Sequence, residues 1–207
     1  MRKTHYILNI LTSALFCAGF LASCATDGFV EDPAREKAHA LTMRAYEEAY
    51  QYSGPYPDWE RVRELATRAI KADPQYPLSY SIRGAAYNAM GKPVHALHDL
   101  DRALELSPDL SSAFVNRGIS YMKLKLYDLA QLDFEAALEL EPENITSLVN
   151  ISQIFAMEND TYLACSILDK AVVMGLNDLA PLSADPAFKP LVDSGCLESL
   201  EKKIMGH

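Results

Sequence analysis

Two stretches decide the fold: residues 84–108 read GAAYNAMGKPVHALHDLDRALELSP, and residues 118–142 read GISYMKLKLYDLAQLDFEAALELEP. Gly84, Tyr87, Ala96, Leu100, Ala103 and Pro108 recur as Gly118, Tyr121, Ala130, Phe134, Ala137 and Pro142, each pair 34 residues apart. Arg83 and Arg117, Asp99 and Asp133, and Leu106 and Leu140 keep the same register. Self-similarity at a fixed period of this length marks an array of supersecondary units. No strand pattern appears after Ala34, so the expectation is an all-α chain of stacked helical hairpins.

Each recurring residue has a packing reason. Gly84 and Gly118 belong where the two helices of a hairpin cross most closely, because a side chain there would push them apart. Ala96, Ala130, Ala103 and Ala137 are the facing small residues of the second helix, while Tyr80, Tyr87, Phe114 and Tyr121 fill the wider gaps. Gly91 closes a first helix in a left-handed cap, and Pro108 and Pro142 stop the second helices. Arg83 with Asp99, and Arg117 with Asp133, stand 16 apart. They are expected either to pair within a hairpin or to meet the neighbouring unit, and in both cases to set register.

The pattern resembles the tetratricopeptide repeat (TPR), a helix–turn–helix unit of 34 residues. Its clear units are 77–110 and 111–144. A third, 145–178, has a degenerate end in which Met174-Gly175-Leu176-Asn177 replaces the terminating proline. Residues 35–76 form a divergent unit: Ala69 and Pro74 are in register, Gly54-Pro55-Tyr56-Pro57 lengthens the turn, and Trp59 opens the second helix. Three to four repeats meet the requirement for a stable solenoid. Residues 179–207 leave the period and read as a C-terminal helical cap, with Ser183 to Phe188 as a cap followed by proline and Cys196 to Ile204 as a helix. Phe188, Leu191, Val192, Leu197 and Leu200 are its expected apolar underside, covering the face that a last repeat leaves bare.

The N-terminus has a different character. Arg2 and Lys3 precede an apolar run from Tyr6 to Leu21 that is too short to span a bilayer and ends in small residues, the anatomy of a secretory signal over residues 1–23. Leu21-Ala22-Ser23-Cys24 resembles the lipobox of bacterial lipoproteins. The resemblance implies cleavage before Cys24, a diacylglycerol on its thiol and a further acyl chain on its amine, a multi-chain anchor that holds stably. Cys17 is then a discarded residue of the apolar run. Residues 24–34 read as a tether, with Asp32-Pro33 as a helix cap and first position. In a host with two membranes, Ala25 rather than Asp after the lipidated Cys resembles lipoproteins sent to the outer membrane, facing the periplasm.

Composition excludes several classes. The chain has 207 residues and a formal charge of −9, which argues against a nucleic-acid surface. Loss of Arg2 and Lys3 makes the mature chain more acidic still. No phosphate loop, nucleophile elbow or zinc-protease helix is present, and Glu105, Glu135, Glu139, Glu141 and Glu143 fall on solvent faces. The chain therefore does not read as an enzyme. His95 and His98 lie three apart near Asp99, but a closed metal site needs three or four convergent ligands. Neither metal nor cofactor is expected. Cys165 and Cys196 could be bridged in an oxidising compartment or remain as free buried thiols.

The TPR resemblance also implies where partners bind, since first helices line a concave groove in that family. The groove positions here are Leu78, Ser81, Ala85 and Asn88, then Ser112, Val115, Ile119, Met122 and Lys123, then Val149, Gln153 and Met157. They are apolar and flexible with few charges, which suits a peptide. Some TPR domains grip a C-terminal carboxylate. Asn116 and Asn150 match that pattern in type, but Ser81 and Ala85 stand where basic and amide residues are needed, which argues against such a clamp. The expected role is a membrane-anchored adaptor or scaffold of the cell envelope that binds a protein or peptide. The alternatives are a structural subunit of an envelope complex or homodimer, and an enzyme of unrecognised type.

Overall fold

Asp32 starts the first helix: its carboxylate accepts the Ala34 N–H at 2.9 Å, and Pro33 takes the first helical position, where no N–H is required. The computed structural model describes residues 32–51 and 57–206. The signal-like segment, Cys17, Cys24, most of the tether and Gly54 to Tyr56 lie outside the described residues.

Eight helices pair as four hairpins: α1 (Pro33–Tyr50) with α2 (Trp59–Ala72), α3 (Pro77–Ala89) with α4 (Pro93–Leu106), α5 (Ser111–Lys123) with α6 (Tyr127–Leu140), and α7 (Ile145–Met157) with α8 (Thr161–Val173). Trp59 opens α2 as expected, with Asp58 capping it through the Arg61 N–H. The described residues contain no strand. The fold is a TPR solenoid.

The turns repeat as faithfully as the helices. Lys92, Leu126 and Asp160 each donate a backbone N–H to the carbonyl five residues earlier, at Tyr87, Tyr121 and Phe155, over 2.8 to 2.9 Å. This helix-ending bond needs a left-handed residue just before the donor. Gly91 (φ 70°) supplies it without strain, whereas Lys125 (φ 61°) and Asn159 (φ 64°) adopt it despite a Cβ.

Between hairpins, each second helix packs against the next first helix, and the first helices also pack on one another along an inner row. The core accordingly divides into four clusters, each centred on one hairpin or its junction. Ala96, Ala103, Ala130 and Ala137 are wholly buried. Gly84 faces Leu100 so closely that an added Cβ would stand 2.7 Å from Leu100 Cγ, and at Gly118 it would stand 2.6 Å from Phe134 Cε1.

The tail closes the array. After α9 (Ala180–Ala184), Asp185 caps a 3₁₀ turn (Pro186–Phe188) by accepting the Ala187 N–H at 2.9 Å, and α10 (Lys189–Asp193) and α11 (Cys196–Met205) follow. The cap within the expected segment Ser183 to Phe188 is Asp185, directly before the proline. The turn and α10 lie against α7, where a further first helix would stack, and α11 packs on α8. Phe188, Leu191, Leu197 and Leu200 are buried in the last core cluster. Val192 is not: it is 44% exposed, because Leu191 takes the inward face of a five-residue helix and its neighbour, about 100° around, points outward. Cys165 and Cys196 form a disulfide with their Cα atoms 6.1 Å apart, joining α8 to α11.

Candidate functional site

The inner row presents two different seams. Between α3 and α5 the helices are held by a closed polar chain. Ser81 Oγ lies 3.1 Å from Ser112 Oγ, Asn88 Nδ2 donates to the Asn116 carbonyl at 2.8 Å, and Ser120 Oγ donates to Asn88 Oδ1 at 2.9 Å. The Asn116 amide reaches Ser81 Oγ at 3.4 Å. Ser81, Asn88 and Ser120 are buried, which is tolerable because each has partners.

One period later the same positions carry Val115, Met122 and Ile154 in place of Ser81, Asn88 and Ser120. Bulky apolar side chains replace short hydrogen-bonded ones, the polar chain has no counterpart, and α5 and α7 meet along a much shorter stretch. A cleft of about 360 Å³ opens there, lined by Ile119, Met122, Lys123, Tyr127, Asn150, Gln153, Met157 and Ala187.

The expected groove residues therefore divide. Ile119, Met122, Lys123, Gln153 and Met157 converge on the cleft. Ser81, Ala85, Asn88 and Val115 are buried, and Ser81 and Asn88 spend their polar groups on the α3–α5 seam, so they hold the inner row together instead of facing a partner. Ser112 is half-buried in that seam. Leu78 packs on the core cluster of the first hairpin, and Val149 on that of the last hairpin and tail.

Three further lining residues stand outside the twelve expected groove positions, although Asn150 matches the carboxylate-clamp pattern in type. Tyr127 begins a second helix, Asn150 lies between two groove positions, and Ala187 belongs to the closing segment. Ala187 is the hardest to foresee, because the period is lost before it. The tail also shapes the rim: Gln153 Nε2 donates to Asp185 Oδ2 at 3.2 Å. Asn150 turns one amide hydrogen back to the Thr146 carbonyl at 2.8 Å.

Other candidates are poorer. His95 and His98 are both exposed, and no group of three His, Cys, Asp or Glu among the described residues is placed to hold a metal. A wide depression of about 610 Å³ runs along the turn Glu141–Thr146 and gathers no convergent polar groups beyond its own loop.

Comparison with known proteins agrees with this architecture. A tetratricopeptide-repeat model matches residues 111–144, the hairpin of α5 and α6. No curated protein matches the chain. Among solved structures, pilF of Pseudomonas aeruginosa has a TM-score of 0.66 at 14% identity, covering 84% of this chain and 75% of that one. MamA has a TM-score of 0.54 at 19% identity, covering 66% and 77%. The first TPR of Spaghetti (RPAP3), bound to the HSP90 peptide SRMEEVD, has a TM-score of 0.53 at 26% identity, covering 58% and 94%. The first two likenesses speak to the fold alone.

Proposed function

Starting from a TPR solenoid with an apolar cleft on its inner row, we propose that this chain is a membrane-anchored adaptor of the bacterial cell envelope. It binds an extended segment of a partner protein along the first helices, and catalyses nothing itself. TPR domains in general mediate protein–protein contacts, and the RPAP3 domain with a bound peptide supports a peptide as the class of ligand. The observation that carries the reading is the convergence of Ile119, Met122, Gln153 and Met157 on a cleft open to solvent. An apolar concavity with a few polar groups is what a peptide side chain needs, and methionine adapts its shape to the occupant.

The anchor is the lipid on Cys24, supported by the lipobox-like Leu21-Ala22-Ser23-Cys24 after a short apolar run. No helix among the described residues is long and apolar enough to cross a membrane. In a host with two membranes the adaptor sits on the outer membrane and faces the periplasm.

Both halves are testable in the native host. Cys24→Ala should abolish incorporation of labelled palmitate, and undiminished label would remove the anchor. A photo-crosslinking residue at Met122 should capture a discrete partner, and Ile119→Asp with Met122→Asp should abolish capture at unchanged helicity. Capture indifferent to those changes would move the site elsewhere.

A further inference from the structure

The cleft has a chemistry of its own, and its selectivity for one kind of segment rests on the inner groove being the place where a partner binds. Three observations restrict what it accepts. First, the wall of Ile119, Met122, Met157 and Tyr127 around about 360 Å³ admits an apolar side chain of leucine, methionine or phenylalanine size together with its flanking backbone. Second, the two amides of the cleft are each half spent. Gln153 gives one amide hydrogen to Asp185 and Asn150 gives one to Thr146, so each amide keeps its carbonyl oxygen and one N–H unspent among the described residues. A carbonyl oxygen beside an N–H matches the alternating N–H and C=O groups of a chain interior, whereas a terminal carboxylate offers acceptors only. The amides and hydroxyls of Ser81, Asn88, Asn116 and Ser120 bond to one another, so none converges on the cleft to bind a chain end.

Third, the cleft is electrically polar. Lys123 is its only charged lining residue, exposed and without an ion-pair partner among the described residues. Asp185, held by Gln153 and the Ala187 N–H, puts a negative charge beside Gln153. We infer that the cleft selects an internal, extended segment of a partner, with an apolar side chain seated between α5 and α7 and an acidic residue on its Lys123 side, and not a free C-terminus. The amides of Asn150 and Gln153 read the segment's backbone, the methionines take the anchor side chain, and Lys123 sets its direction.

The test uses the full chain in detergent with ¹³C-labelled methionine methyl groups. The probes are hexapeptides with acetyl and amide ends: Gly-Ser-Glu-Leu-Ser-Gly and its reversed-order partner Gly-Ser-Leu-Glu-Ser-Gly, each repeated with Lys for Glu and with Gly for Leu. A seventh peptide, Gly-Ser-Glu-Leu, keeps its free carboxylate. One acidic, end-blocked peptide should shift the Met122 and Met157 methyl resonances saturably. Its Lys counterpart should bind roughly fivefold to tenfold more weakly, and its Gly counterpart should give no shift. Lys123→Glu, a change at an exposed position, should invert the preference between Glu and Lys.

Equal binding of the Lys peptide, an uninverted preference in Lys123→Glu, or binding only of the free-carboxylate peptide would overturn the inference while leaving the groove itself in place as a binding site. Silent methyls with every peptide, alongside a Met122 crosslinker that still captures a partner, would do the same. Silent methyls and no capture would sink both.

Discussion

The guanidinium of Arg117 clasps the carboxylate of Asp133 through paired bonds of 2.8 Å, and its remaining nitrogen reaches Asp101 of α4, also at 2.8 Å. Arg83 repeats the arrangement one period earlier, with paired 2.7 Å bonds to Asp99 and a longer reach to Thr67 of α2. Each arginine therefore locks its own hairpin and touches the second helix of the hairpin before. Asp133 is nearly buried, and its hydrogen bonds hold Arg117 well above the ordinary guanidinium range.

Breaking this clasp should be costly. Asp133→Asn leaves a half-buried guanidinium facing a neutral amide and is expected to destabilise the fold by about 2 kcal/mol, below the range for a fully buried pair because Arg117 retains some solvent. Arg117→Lys should cost nearly as much, since an ammonium cannot make the paired contact. Urea midpoints decide it; values within experimental error of the parent would show that the clasp is ornamental.

The two close-approach glycines should differ in tolerance. Gly118→Ala drives a methyl against the edge of Phe134, a wholly buried ring with nowhere to move. A loss of about 2–3 kcal/mol is expected. Gly84→Ala meets Leu100, equally buried, but an aliphatic chain yields by a few tenths of an ångström more readily than a rigid ring, and the change should cost roughly half as much. Calorimetry on the pair settles the order; a costlier Gly84→Ala would refute the distinction between ring and branched chain.

Lys125 holds a left-handed conformation that its position in the turn imposes and its Cβ resists. Lys125→Gly should therefore raise stability by about 1 kcal/mol. Asn159→Gly should gain less, because asparagine already tolerates this region. A destabilised Lys125→Gly would mean that the lysine side chain contributes more than its backbone strain removes.

The Cys165–Cys196 disulfide closes a segment with a sequence separation of 31. Reduction, or Cys165→Ser with Cys196→Ser, should lower stability by about 3 kcal/mol. It should also increase amide exchange from Ala180 to Met205 more than in α3 to α6, because the tail has fewer neighbours to hold it. Uniform exchange across the chain after reduction would contradict that role for the bridge.

The 34-residue register alone determined the hairpins and their glycine crossings, because each depends on local helix period and on contacts that every unit repeats; it set the arginine–aspartate spacing, and the structure decided that each pair closes within its own hairpin. The register also marked the inner face, and five of the twelve groove positions do line the cleft. Tertiary structure decided the rest. Ser81 and Asn88 look like groove residues from spacing, yet the nearness of α5 lets them hydrogen-bond across the seam and be buried. Met122 and Ile154, one period after Asn88 and Ser120, are too bulky and apolar for that seam, and so the cleft opens there. Ala187 and Asp185 join it from a segment without periodicity, placed by the burial of Phe188 and Leu191 against the last hairpin. Period fixes what a unit does with itself; the shape of a binding surface depends on how far apart neighbouring units settle, and that is set by side-chain volume and hydrogen bonding across their boundary.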